Sequence, residues 1–314
     1  MTMRKLLAAL LCVALPAFAW PDRPIKVLIG YAPGGSTDVV ARLLAPKLGE
    51  RLGQPVIIEN KPGGAGDFAA ELMLQAPADG YTLLMSTVAL HAINPGMFKQ
   101  KFHPIDDFTP IAMVCSYPMI MIGSPQTTFK TPAELKELSG KAPTFYSSSG
   151  VGSPGHLSAE LLVRALGANI THVPYKGGAP SVMAIMSGEA QVNFATLPAV
   201  VPQIRGGKVR AIGLASKERN PAVPDVPTLS ELGVADFEVG TWSGLIGPKG
   251  VPQDVVNKIN AAVSAVVNDP AIQKRLIEEG AEIKLMSPAD FGNVMRAENA
   301  RWVKVVKDAG IQPQ

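Results

Sequence analysis

Short β-rich runs alternate with helical patterns along the whole chain, and that alternation restricts it more than any other feature, because it is the signature of parallel sheets covered by helices. The strand candidates are Ile25 to Ile29, Val56 to Glu59, Thr82 to Ser86, Thr144 to Ser147, Thr171 to Val173, Val192 to Ala195 and Val209 to Ala215. Their apolar runs fit strands buried on both faces. Between the first two, Val39, Val40, Leu43, Leu44 and Leu48 form one helical stripe. Pro46 lies inside that stripe and deprives the Arg42 carbonyl of its partner, so a kink or an early stop is expected there. Thr131-Pro132-Ala133-Glu134 and Ser287-Pro288-Ala289-Asp290 each read as a capping hydroxyl, a first-turn proline and an acid at the third position. The last helical pattern covers about Pro288 to Ala309.

The N-terminus is set aside from the fold. Arg4 and Lys5 precede an apolar run from Leu6 to Leu15 that ends in Ala17-Phe18-Ala19, the pattern of a secretory signal with a small-x-small cleavage site. Residues 1–19 are read as that signal, and the mature chain is expected to be exported and to begin at Trp20. No small residue precedes Cys12, which disfavours a lipoprotein anchor, and no later run offers about 18 uninterrupted apolar residues. Removing residues 1–19 leaves 314 − 19 = 295 residues and takes away Arg4 and Lys5, so the formal net charge falls from +3 to +1. Nothing in that balance points to nucleic acid. Cys115 is then the only cysteine, which excludes an intramolecular disulfide and leaves stability to the core. A chain of this length divides into two domains.

Two stretches, Ile111 to Ile122 and Phe237 to Ile246, are extended and interrupted by Pro or Gly, as crossings between lobes are. If both cross, residues 20–121 plus 241–314 make one discontinuous lobe and residues 122–240 the other.

Three strand-to-helix turns are rich in glycine: Pro33-Gly34-Gly35-Ser36, Pro62-Gly63-Gly64-Ala65-Gly66, and Ser147 through Gly155. Glycine lets backbone N–H groups approach a ligand, and a helix start favours negative charge. In open α/β sheets such loops gather at the carboxyl ends of the strands, where ligands bind. The bland alternative is that the glycines merely make tight turns. Gly150, Gly152 and Gly155 match G-x-G-x-x-G, but the ribose-binding acid that a dinucleotide site needs about 20 residues on is missing. That region reads Thr171-His172-Val173-Pro174-Tyr175-Lys176. No cofactor is expected.

A serine hydrolase is the enzymatic alternative, with Ser153 as nucleophile and His156 as base. Ser153 has Val151 two residues before it, where a nucleophile elbow has Gly. His91, His103, His156 and His172 show no metal-ligand spacing. What remains is a set of hydroxyls and amides with few charges, since the Tyr31 to Thr37 and Ser147 to Pro154 loops contain no Arg or Lys. A carboxylate held by neutral donors fits, each charge-assisted bond contributing roughly 1.5–3 kcal/mol.

Long motifs in order then carry a close resemblance over nearly the whole mature chain: PIKVLIGYAPGGSTDVVARLLAPKLGERLGQPVIIENKPGGAG, ADGYTLLMST with HAINP, FYSSSGVGSPGHLSAELL, HVPYKGGAPSVMAIMSGEAQV and VRAIGLASKERNPAVPDVPTLSELG. The sequence resembles the Bug family, the extracytoplasmic receptors of tripartite tricarboxylate transporters. The resemblance implies an α/β fold of two Rossmann-like lobes with a central cleft, like a type II periplasmic binding protein, joined by two crossing strands. It implies hinge closure on a small organic carboxylate, such as a di- or tricarboxylate or an aromatic acid, and delivery to membrane transporter subunits. A monomer is expected, and a ligand-sensing subunit is a further alternative.

By position in the resemblance, Tyr31 flanks the ligand, Gly34, Gly35, Ser36 and Thr37 offer donors, and Asp38 anchors the helix start. Thr87 to His91 and Ser147, Ser148, Ser149, Gly150, Ser153 and His156 complete the pocket, with Tyr175 and Thr196 beside them. For His91 a structural turn role is the alternative, and for Tyr175 a place in the core. The chain departs from the family where an Asp-Asn pair commonly follows the strand, because Ala195-Thr196 stands there. Without that acid a ligand ammonium lacks a partner, so plain carboxylates are expected over amino acids. Asp67 stands where Asn is common, which leaves its role open.

Overall fold

In the computed structural model, which describes residues 20–311, the chain runs β1 (Ile25–Ile29), α1 (Ser36–Leu52), β2 (Val56–Asn60), α2 (Asp67–Leu74), β3 (Thr82–Ser86), α3 (Asn94–Met97) and β4 (Phe108–Gly123). It continues through α4 (Pro132–Ser139), β5 (Phe145–Ser148), α5 (Pro154–Leu166), β6 (Thr171–Pro174), α6 (Gly178–Ser187), β7 (Val192–Thr196), α7 (Leu197–Arg205) and β8 (Arg210–Leu214). It returns by β9 (Gly240–Pro248), α8 (Gln253–Val267), α9 (Pro270–Glu278), β10 (Glu282–Ile283) and α10 (Pro288–Asp308). The export signal read at residues 1–19 lies outside the described residues. Among the described residues no helix is long and apolar enough to cross a membrane.

The strands form one curled sheet in the order β2-β1-β3-β9-β4-β7-β5-β6, with β8 and β10 also on β4. Pairing is parallel within β2-β1-β3 and within β7-β5-β6, as the alternating pattern predicts. Between them it is antiparallel, which the pattern does not show. The cause is topological. β4 pairs with β9 through Phe108–Pro118 and then with β7 and β8 through Met119–Gly123, so it leaves one half-sheet and enters the other. β9 brings the chain back in the opposite direction and so must run against it.

Val40, Leu44 and Leu48 of α1 are buried against Ile25, Val27 and Ile29 of β1 and against Val255, Ile259 and Val263 of α8. Each such side chain contributes roughly 1.5–3 kcal/mol on full burial. Pro46 does not stop the helix, which continues to Leu52. Both Pro46 and Arg42 face solvent, so the Arg42 carbonyl that loses its N–H partner stays accessible to water, and the buried stripe outweighs the defect. The caps read from sequence form as expected: Thr131 Oγ1 accepts from Glu134 N at 3.2 Å and Ser287 Oγ from Asp290 N at 3.1 Å. Cys115 is free and fully buried, and burial pushes its thiol up to about 12.

Candidate functional site

The turn after β1 is built from behind by a buried carboxylate. Asp38 Oδ2 accepts the Gly34 N–H at 2.9 Å, Arg42 Nε meets both carboxylate oxygens at 3.0 Å, and Asn60 Nδ2 donates to Oδ1 at 2.9 Å. Burial by itself raises the Asp38 pKa, but the bonds from Arg42, Gly34 and Asn60 outweigh it and hold the carboxyl below its usual range. Asp38 thereby locks the turn, while the first-turn N–H groups of α1 receive no side-chain cap. Tyr31 Oη donates to Ala65 O at 2.9 Å and lies 3.4 Å from Thr87 Oγ1, and burial pushes its pKa up.

Three further helices begin on the opposite side. α5 starts behind Ser153, whose Oγ accepts the His156 backbone N–H at 3.2 Å. α6 starts behind Gly177 and α7 behind Thr196, neither with a side-chain cap bond. All four helix starts face one cleft. Gly35, Ser36 and Thr37 line it from α1, Pro154 and Gly155 from α5, Gly178 and Ser181 from α6, and Thr196 and Ala199 from α7. Tyr31, Thr87, Ser149, Phe194 and Ala195 complete the walls, and Tyr117, Met119 and Thr241 of the crossing strands form the floor. Among the described residues no charged side chain lines the space.

Of the residues singled out from sequence, Tyr31, Gly35, Ser36, Thr37, Thr87, Ser149 and Thr196 line this space. The others stand behind it or apart. Gly34 is held by Asp38. Ser147 Oγ donates to Ser181 O at 2.9 Å, joining the β5 turn to α6, and Asn193 Nδ2 donates to Ser147 O and Oγ. Ser148 Oγ pairs with His172 Nε2 at 2.7 Å and donates to Gly150 O at 3.2 Å. His156 Nδ1 accepts from Gly152 N at 3.3 Å while its ring stacks on His172 at 4.3 Å, so Ser153 Oγ meets the backbone of His156 rather than its imidazole. His91 is fully buried between Ser86 Oγ at 2.9 Å and the Pro104 carbonyl at 2.6 Å, away from the lining. Tyr175 is half-buried at the rim, its Oη donating to Glu189 at 3.0 Å. Among the described residues no cluster of His, Cys, Asp or Glu is placed to hold a metal.

Sequence reasoning missed Tyr117, Met119, Gly178, Ser181, Phe194, Ala195, Ala199 and Thr241 as lining residues. A signal existed for some. Two strands that cross between lobes must pass the cleft, which points to Tyr117, Met119 and Thr241, and the Gly177-Gly178 pair opens α6 as Gly34-Gly35 opens α1. Asp67, whose role sequence leaves open, accepts from Asn94 Nδ2 at 2.6 Å and Gln100 Nε2 at 3.1 Å and so ties α2 to α3.

The two sides touch at the rim. Ala32 N donates to Lys176 O at 3.1 Å, and a Cβ on Gly177 would lie 2.9 Å from Ala32 N and 3.0 Å from Ala32 Cβ. Only glycine permits that approach, and the Gly177 φ of +143° is itself a glycine conformation.

Residues 40–311 match the family profile described as tripartite tricarboxylate transporter family receptor. Protein BugT of Bordetella pertussis is 30% identical, with 99% of this chain and 99% of that protein covered. Rpa4515 of R. palustris, solved with adipate, has a TM-score of 0.90 and 35% identity, covering 94% of this chain and 100% of its own. MatC from Rhodopseudomonas palustris, solved with bound malate, has a TM-score of 0.88 and 35% identity, covering 91% of this chain and 100% of its own. The two-lobed α/β architecture is that of solved periplasmic binding proteins. With the profile spanning most of the sequence and a relative matched almost end to end, the chain belongs to the tripartite tricarboxylate transporter receptors, the Bug family of periplasmic solute-binding proteins.

Proposed function

We propose that this receptor captures a small organic carboxylate between lobes 20–121 plus 241–314 and 122–240, and delivers it to the membrane subunits of a tripartite transporter. The observation that carries the reading is the convergence of four helix N-termini on a space with no charged side chain. Each helix start presents unpaired N–H groups and about half a positive charge. Burying a carboxylate costs several kcal/mol, and charge-assisted bonds at roughly 1.5–3 kcal/mol each offset that cost once two or three form. A cation gains nothing at such a site. Binding of adipate and of malate by the two R. palustris relatives supports the same chemistry.

No acid lines the space to pair with an ammonium group, and Ala195 and Thr196 fill the wall instead. Plain carboxylates are therefore favoured over amino acids. On this reading residues 1–19 direct export and are cleaved after Ala19, which leaves the receptor in the periplasm. A solute held between two lobes enters an opened form, and the halves close around it.

A thermal-shift screen of the mature chain against organic acids tests this, because a ligand that binds only the folded form raises its apparent stability. Stabilisation by one or more plain acids is expected. A screen in which no organic acid stabilises the protein, or in which aspartate or glutamate outbinds matched dicarboxylates, overturns the respective part of the reading.

A further inference from the structure

The cleft floor contains a hydroxyl without a partner. Thr241 lies on β9 directly opposite Tyr117 of β4. Strand alternation puts its side chain on the face of Ser243, whose Oγ meets Tyr117 Oη at 2.6 Å. Trp242, between them, turns to the other face, where its ring stacks on His91 at 5.9 Å and meets Phe291 edge-on at 5.2 Å. Thr241 is 4% exposed, and among the described residues its Oγ1 has no hydrogen-bond partner although the residue lines the cavity. Tyr117, its partner across the strands, is engaged with Ser243, and of the other hydroxyls that line the cleft Tyr31 donates to Ala65 O and Ser181 to Gly178 O.

A buried hydroxyl left unpaired is costly, and such groups in native proteins call for an explanation. A carboxylate is a poor candidate for the missing partner. It is better held at the helix starts, which lie on the two walls, whereas Thr241 sits on the floor between them and offers a single O–H. What fits there is a neutral oxygen on the body of the solute, since a threonine hydroxyl both donates and accepts. We propose that Thr241 is a specificity-determining contact for a hydroxyl or carbonyl oxygen carried on the carbon skeleton of the bound acid. The receptor then prefers hydroxy or oxo acids to their deoxy counterparts. This inference rests on the carboxylate reading above and narrows it.

The test is calorimetric titration of wild type, Thr241→Val and Thr241→Ser with matched acids: malate and succinate, citrate and tricarballylate, lactate and propionate. In whichever pair binds, wild type is expected to favour the oxygenated member about tenfold or more, the gain from pairing a buried hydroxyl. Thr241→Val keeps the shape, so it should reduce that preference to less than about twofold, leave the deoxy acid unchanged and leave the ligand-free melting temperature equal or higher. Thr241→Ser should keep most of the preference.

Equal binding of both members by wild type overturns the proposal, as does a preference that survives in Thr241→Val. So does a Val variant that loses both members together with thermal stability, because that marks a packing role. If deoxy acids bind and oxygenated ones do not, the carboxylate reading stands and this assignment falls. If wild type binds no acid of either kind, the carboxylate reading fails first and takes the Thr241 assignment with it.

Discussion

Replacing Gly177 by Ala separates two effects that the structure superimposes at one residue. The first is conformational: at φ +143° and ψ 173° a side chain costs roughly 1–3 kcal/mol, whether the cleft is open or shut. The second belongs to the shut form alone, in which the new Cβ would stand 2.9 Å from Ala32 N and 3.0 Å from Ala32 Cβ. Both obstacles are close to backbone and cannot swing aside, so the rim must part by about half an ångström, weakening the bond from Ala32 N to Lys176 O. That bond and the dispersion contacts around it amount to about 1–2 kcal/mol. Since 1.4 kcal/mol is tenfold, ligand affinity should fall about 5- to 30-fold. The ligand-free melting temperature should fall by about 2–6 °C from the conformational part. Gly207→Ala is the control, because Gly207 has φ +64° and open space where its Cβ would go. It should lower the melting temperature and leave affinity alone. If calorimetry finds that Gly177→Ala weakens binding no more than Gly207→Ala does, the rim contact is not part of the ligand-bound state.

Two predictions concern protons. Burial raises the Asp67 pKa against the opposing bonds from Asn94 and Gln100, so its stability contribution is full below the unfolded carboxyl value and is lost as pH rises through the folded one. Asp67→Asn should therefore raise the melting temperature at pH 7 and not at pH 3; an equal rise at both would refute the assignment. Burial lowers His91 to about 4 against the Pro104 carbonyl, and burial with the His172 neighbour lowers His156 to about 3. Their contribution is present above the unfolded value near 6.5 and is lost on acidification, because the unfolded chain takes up about two more protons. Urea midpoints should fall as pH drops from 6.5 to 4, and His156→Gln should make that fall shallower. An unchanged slope would count against it.

The sequence was most informative where local chemistry decides the outcome. Thr131 and Ser287 start helices because a hydroxyl, a proline and an acid in that order satisfy the first turn without outside help. The Tyr31 turn was legible for the same reason, since Gly35, Ser36 and Thr37 belong to a helix start. Long-range pairing escaped it. Nothing local says that β4 runs antiparallel to both neighbours, or that Tyr117 and Thr241 become opposite partners across 124 residues (241 − 117). Pro46 misled in the opposite direction, because its local penalty is real but falls on the solvent face. His91 and His156 looked equally placed in their motifs, yet ring contacts formed only in three dimensions draw both behind the walls.

The late return of β9 also governs how the molecule comes into being. β3 is covered on its second edge only when Leu84, Met85 and Ser86 meet Ile246, Leu245 and Gly244. Until the chain has been made that far, three parallel strands end in an open row of unpaired N–H and C=O groups. Pairings so distant in sequence form slowly, and their absence keeps the early part of the chain from locking into place. Products truncated ahead of Gly240 would retain that bare edge and should self-associate rather than fold.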